Sequence, residues 1–168
     1  MFRKVDDFAK EWRTERDATL SVLNQLTDES LSQMIAPGGR TLGFLAWHLI
    51  ATLTEMPKKA GVDAGGPEHE PPAGQITSAT DIVTAYSTSS TALLEAVVSQ
   101  WTDEMLMDEV EMYGDMWTRG FMLDALIRHE AHHRGQMTVL MRQAGLIVPG
   151  VYGPAREQWA QWGMAAPA

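Results

Sequence analysis

The sequence predicts an all-α fold, a four-helix bundle with a long crossover between helices 2 and 3. Three observations lead there. Apolar residues recur three and four apart in four long segments, the period of one helix face. Alternating strand-like runs are nearly absent. The segment 58–77 carries Gly61, Gly65, Gly66, Pro67, Pro71, Pro72 and Gly74, which bar regular structure and leave an unusually long connection.

Residues 2 to about 26 form the first expected helix. Its stripe holds Val5, Phe8, Trp12, Thr19, Leu20, Leu23 and Leu26, with a break near Glu15 and Arg16. Pro37-Gly38-Gly39 marks a loop. Thr41 caps a second helix to about Met56, with Leu45, His48, Leu49, Thr52, Leu53 and Met56 facing inward. Pro57 is expected to end or kink it. The crossover, at about 3.3 Å per residue, reaches about 66 Å when extended, against roughly 30 Å for a helix of similar residue count. The third helix can therefore run parallel to the second.

Ser78 and Asp81 open the third helix in the pattern of a capping box. Ile82, Tyr86, Leu93, Val97 and Trp101 mark its buried side, and the small Ser89 and Ser90 leave space inside the bundle. Residues 102–117 are acidic and Met-rich, with Tyr113-Gly114 as a turn; alternation at Val110 and Met112 permits a short extended piece. The fourth helix runs from about Thr118 to Ala144. Met122, Ala125, Leu126, His129, His133, Met137 and Leu140 line one stripe, Gly145 lies just past the end and Pro149 follows. The tail, with Val151, Tyr152, Trp159 and Trp162, is expected to pack over the bundle mouth or a partner.

A chain of 168 residues is expected to form a single domain, 1–168, with a core that needs no staples. It has no cysteine, so a metal site must use His, Asp and Glu. The net charge of −9 and the acidic run Asp103, Glu104, Asp108, Glu109, Glu111 and Asp115 argue against nucleic acid as a partner. No apolar run of about 18 residues is present, so no membrane span is expected. The first residues lack the apolar core of a signal peptide. A cytoplasmic protein is expected.

The run His129-Glu130-Ala131-His132-His133 carries the most chemistry. Residues four apart share a helix face, so His129 and His133 can present two imidazoles to one point. His48, mid-way along the second helix, is the third candidate. Two adjacent buried imidazoles must stay neutral, and a cation gives a reason to keep both nitrogens there. Three imidazoles leave an open coordination position, and zinc and nickel both suit nitrogen ligands.

His132, about 100° round the helix from His133, is expected to face a neighbouring helix. His69 is expected at the surface. Glu130 is a candidate for catalytic proton handling, or an ordinary outward residue. Glu15, Arg16, Thr52 and Glu55 are candidates to orient the imidazoles from behind. The run also matches H-E-x-x-H of zinc proteases, but no histidine follows His133 and strand signal is scarce, so a protease is rejected.

Leu42-Gly43-Phe44-Leu45-Ala46-Trp47-His48, together with His129-Glu130-Ala131-His132-His133-Arg134-Gly135-Gln136, resembles the DinB-like (damage-inducible, YfiT-related) proteins. The run Arg142-Gln143-Ala144-Gly145-Leu146 and the stretch Pro149-Gly150-Val151-Tyr152-Gly153-Pro154 fit as well. The resemblance implies a four-helix bundle with the long crossover and a divalent metal, Zn or Ni, on His48, His129 and His133. It implies a homodimer, and for several relatives transfer or isomerisation chemistry with a low-molecular-weight thiol such as mycothiol or bacillithiol. The expected function is thiol S-transfer to a small electrophilic substrate. A metal-dependent hydrolase and a non-catalytic metal-binding stress protein are the alternatives.

Overall fold

The computed structural model describes residues 1–72 and 74–166. Four long helices carry the fold: α1 (Val5–Leu23), α2 (Leu42–Lys59), α3 (Ala79–Gln100) and α4 (Arg119–Gln143). Both α1 and α2 pack on both α3 and α4. Short 3₁₀ turns occupy Asp28–Ser32, Glu104–Met107 and Arg156–Trp162. Expected helix boundaries at the first helix shrink to Val5–Leu23, because Phe2 leaves the stripe to pair its backbone with Gly120.

Helices α2, α3 and α4 start where hydroxyls satisfy orphan N–H groups, while at α1 the Val5 N–H is taken by the Asp103 carboxylate at 2.8 Å. Thr41, Ser78 and Thr118 accept from the backbone N–H of Phe44, Asp81 and Phe121 at 3.1, 3.1 and 3.2 Å. Two of them stop in the same way. Gly145, at φ 74°, lets Leu146 N–H reach the Met141 carbonyl at 2.9 Å and its own N–H reach Arg142. Gly61, at φ 92°, repeats this at α2: Val62 N–H bonds the Pro57 carbonyl at 3.0 Å.

That second stop corrects the expected end at Met56. The helix continues through Pro57 to Lys59. The proline loses one hydrogen bond to the preceding turn. Its carbonyl, however, is claimed by the cap, and the ring is buried. The extra turn places Val62 fully inside the core.

Gly43, near the start of α2, lies against Ile76, just ahead of α3. Thr54, near the far end of α2, lies against Gly66, which also meets Ser89 midway along α3. Helices α2 and α3 thus begin at the same end and run parallel, with the crossover returning alongside them. The space beside Ser89 and Ser90 is filled: Gly66 abuts the first, and Trp12 Nε1 donates to the Ser90 carbonyl at 3.0 Å.

The expected all-α class is corrected. The chain is mostly helical with a two-stranded antiparallel sheet, β1 (Glu109–Met112) and β2 (Asp115–Thr118), in the register Val110 opposite Trp117 and Met112 opposite Asp115. Tyr113 and Gly114 both take positive φ, 57° and 91°, the hairpin turn whose twist matches the strands. Met112 is fully buried, and β1 lies against α2 while β2 lies against α4. The first strand is the short extended piece expected around Val110 and Met112, and the turn falls at Tyr113-Gly114 as expected; the second strand, with no fully buried residue, gives no such signal.

Candidate metal centre

His48 projects from the middle of α2, and His129 and His133 project one turn apart from α4. The two helices pack face to face, and the three rings meet. Nε2 of His129 lies 3.2 Å from Nε2 of His48 and 3.1 Å from Nε2 of His133. One ligand atom from each residue lies within 4.8 Å of the others. A tetrahedral ion with bonds of about 2.0–2.1 Å sets its nitrogens about 3.3 Å apart. The spacing fits such a group.

The outer nitrogens define which tautomers are present. A carboxylate only accepts, so His48 Nδ1–H donates to Glu70 Oε1, at 2.5 Å. His133 Nδ1–H donates to Gln136 Oε1 at 2.7 Å, and the Gln136 amide is turned that way because its NH₂ donates to His132 Nε2 at 3.1 Å. Both rings therefore aim Nε2 electron pairs at His129 Nε2. That atom can donate one proton at most, so one of the two pairs is left facing it without a hydrogen. His129 Nδ1 is buried with no partner. Burial, then the neighbouring rings of His133 and His48, hold His129 down at about 4. Burial also lowers His133, against the pull of Gln136. His129 and His133 are thus held toward the neutral form, whose lone pairs suit a cation.

Burial raises Glu70, but the hydrogen bond from His48, a backbone hydrogen bond and the charges of His48 and Arg40 together outweigh it, and its carboxyl falls below the usual range. Phe44, one turn before His48, stacks on its ring at 6.0 Å. A cavity of about 490 Å³ opens beside the cluster, walled by His48, His129, Glu55, Glu70, Tyr113 and Trp117. The Tyr113 hydroxyl donates to Glu55 at 2.6 Å, and its ring meets Trp117 edge-on at 5.9 Å. A tyrosine at positive φ is strained, and these contacts hold it in the cavity wall.

Glu130 is fully buried, so the outward alternative does not apply. Its Oε2 accepts from Thr19 at 2.7 Å and Tyr86 at 2.8 Å, hydroxyls of α1 and α3, and its Oε1 has no partner. Burial pushes this carboxyl up to about 7, against those hydroxyls and Arg134. Burial, then Glu130, raises Tyr86 well above its usual range. Behind it, Arg134 Nη2 pairs with Glu15 at 2.6 Å and bonds Tyr152 OH, while Nη1 donates to Thr19 at 3.0 Å.

The four residues expected behind the imidazoles take other places. Glu15 pairs with Arg134, Arg16 reaches Thr91 at 3.4 Å, and the Thr52 hydroxyl donates to carbonyls of His48 and Leu49. Glu55 stands in the cavity wall. His132 is exposed and orients Gln136, instead of facing a helix. His69 is exposed, at the cavity rim. Nothing in the sequence pointed to Glu70, and the Arg134-Gly135-Gln136 run was expected to serve helix packing, whereas Gln136 holds His133. Gln136 follows His133 by one helix turn and was legible. Glu70 lies between Pro67 and Pro71, where no periodicity says which way it points.

A mostly helical protein with three histidines gathered between two long helices is the class that fold and site define. The chain belongs to the DinB family, whose profile matches residues 1–164. It is 46% identical over 167 residues, 99% of either chain, to the "uncharacterized protein YrdA" of Bacillus subtilis (strain 168). A DinB-like protein from Bacillus cereus ATCC 10987 has a similar crystal structure: TM-score 0.86, 43% identity, over 90% of this chain and 100% of that one. The DinB-like protein YjoA of Bacillus subtilis matches at TM-score 0.68 and 18% identity, over 89% of this chain and 99% of that one, a likeness of fold alone. No helix among the described residues is long and apolar enough to cross a membrane.

Proposed function

We propose that the protein is a metal-dependent enzyme built on a four-helix bundle, in which His48, His129 and His133 hold one zinc or nickel ion. In this reading it transfers a low-molecular-weight thiol to a small electrophilic molecule, acts as a homodimer and needs no nucleic acid or membrane. The observation that carries it is the convergence of three Nε2 atoms, two of them turned inward as electron pairs by Glu70 and Gln136. A divalent ion bound there supplies Lewis-acid chemistry, depressing the pKa of a thiol or water that joins it.

The chain's own residues do the rest. His48 and His129 open onto the cavity, where Trp117, Met56 and Ala51 give an apolar wall for the electrophile. As the sulfur–carbon bond forms, the thiol proton passes to a carboxylate and the leaving group departs with the electrons of the broken bond. Glu55, in the cavity wall, is the carboxylate positioned for that proton. Glu130, the candidate from the sequence, we assign to holding α4 against α1 and α3 beside His129, because its bonded oxygen faces their hydroxyls.

Elemental analysis of the purified protein is expected to find about one transition metal per chain, with most of it lost in His48→Ala. Equal metal in the two would remove His48 as a ligand. Turnover of electrophiles with a cellular thiol, abolished in His133→Ala, supports the transferase. Ester or amide hydrolysis without thiol points to the hydrolase, and metal without turnover to the binding protein. Sedimentation checks the dimer.

A further inference from the structure

One segment touches the imidazole cluster without belonging to a helix. From 63 to 72 no described residue is buried. The segment holds to the helices by polar ties. Thr54 donates to the Gly65 carbonyl at 3.2 Å, Lys58 pairs with Glu68 at 2.5 Å, and His48 donates to Glu70 at 2.5 Å. The Lys58–Glu68 pair is exposed, and such pairs contribute little. A segment with few buried apolar contacts opens at small free-energy cost.

We infer that Glu70 is the positioning residue for His48, and that through it metal binding and docking of the crossover form one linked equilibrium. The inference rests on the metal reading above. A carboxylate accepting from Nδ1–H fixes the ring with its electron pair on Nε2 and raises the basicity of that atom; losing such a partner typically weakens metal binding about 10–100-fold. Linkage is reciprocal: if docked Glu70 tightens metal binding by some factor, bound metal favours the docked segment by the same factor. The other two rings have no such connection. His133 is held by Gln136 on its own helix, and His129 Nδ1 has no partner. Glu68, His69 and Glu70 also wall the cavity, so docking completes the space beside the imidazoles.

The test uses the full chain, stripped of metal and titrated with zinc against a competing chelator. Amide hydrogen exchange is followed over 63–72 with and without zinc. In the wild type, exchange there should slow by roughly 10–100-fold on loading. Glu70→Ala should bind zinc weaker by about the same factor and lose the zinc-dependent slowing. Glu70→Gln keeps an acceptor and should recover part of both. Glu68→Ala, which breaks only the exposed pair, should keep the slowing. Unchanged zinc affinity in Glu70→Ala, or no effect of zinc on exchange in a wild type that binds it, overturns the inference and spares the metal site. A wild type that binds no zinc removes the metal reading and this one together.

Discussion

Arg134 and Glu15 form an ion pair buried on both sides, with side chains 3% and 8% exposed. Further hydrogen bonds hold the pair: Arg134 also donates to Thr19 and Tyr152, and Tyr152 donates to Glu15 at 2.6 Å. Removing one partner of such a pair leaves a charge stranded in the interior and destabilises by about 3–5 kcal/mol. Glu15→Gln should therefore lower the chemical-denaturation free energy by that order. Glu15→Leu with Arg134→Met should recover most of the loss, since apolar replacement of a buried pair is often neutral or better. A Glu15→Gln loss below about 1 kcal/mol, the value of exposed pairs, would contradict the burial. The sequence flagged this spot only as a break in an apolar stripe at Glu15 and Arg16. A charged residue on an inward face reads as a defect until its partner is known, and Arg134 is 119 positions away.

Among the elements, α4 is the most exacting. It opens with Gly120, where an added Cβ would sit 2.0 Å from the Phe2 carbonyl oxygen. That oxygen belongs to backbone, and Phe2 N–H bonds the Gly120 carbonyl at 3.1 Å, so the two segments hold each other at this distance. Gly120→Ala must push the first residues away and strain the Met1 amine from Asp124, now 3.1 Å apart. Overpacking of this kind costs about 1–3 kcal/mol, a fall in melting temperature of about 2–4 °C for each kcal/mol in a protein of this size. Gly135, in the same helix, has nothing within 4 Å of its added Cβ. Gly135→Ala should raise stability by up to about 1 kcal/mol from helix propensity alone. Calorimetry of the two variants side by side checks both signs. Helix existence was legible here because the stripe from Met122 to Leu140 is long and periodic. Of the hairpin before it, the turn at Tyr113-Gly114 and the extended piece around Val110 and Met112 were legible, whereas the second strand was not, because Asp115–Thr118 buries no residue fully and so shows no apolar alternation.

At the scale of the whole molecule, the candidate site is a consequence of packing α2 on α4. His129 and His133 were legible as a pair because helix geometry alone puts them together. Bringing His48 to them spans 81 residues of separation, and in the sequence its part rested on its place on another inward face and on the resemblance carried by Leu42–His48. Glu70 was out of reach, since a Gly/Pro segment has no period to read. The same long-range construction makes a prediction for stability. An ion held by ligands from two helices binds the folded chain, whereas the unfolded chain scatters those imidazoles. Ligand present at about 100 times its dissociation constant then adds about 2.7 kcal/mol. At about 2–4 °C per kcal/mol, zinc should raise the melting temperature by roughly 5–10 °C over protein dialysed against chelator. His48→Ala, which leaves the helix 4 pair intact, should lose most of that rise, while its stability in chelator changes far less. A wild-type transition that stays at one temperature with and without zinc would mean that the three nitrogens share no ion. An equal rise in His48→Ala would mean that α4 alone holds it.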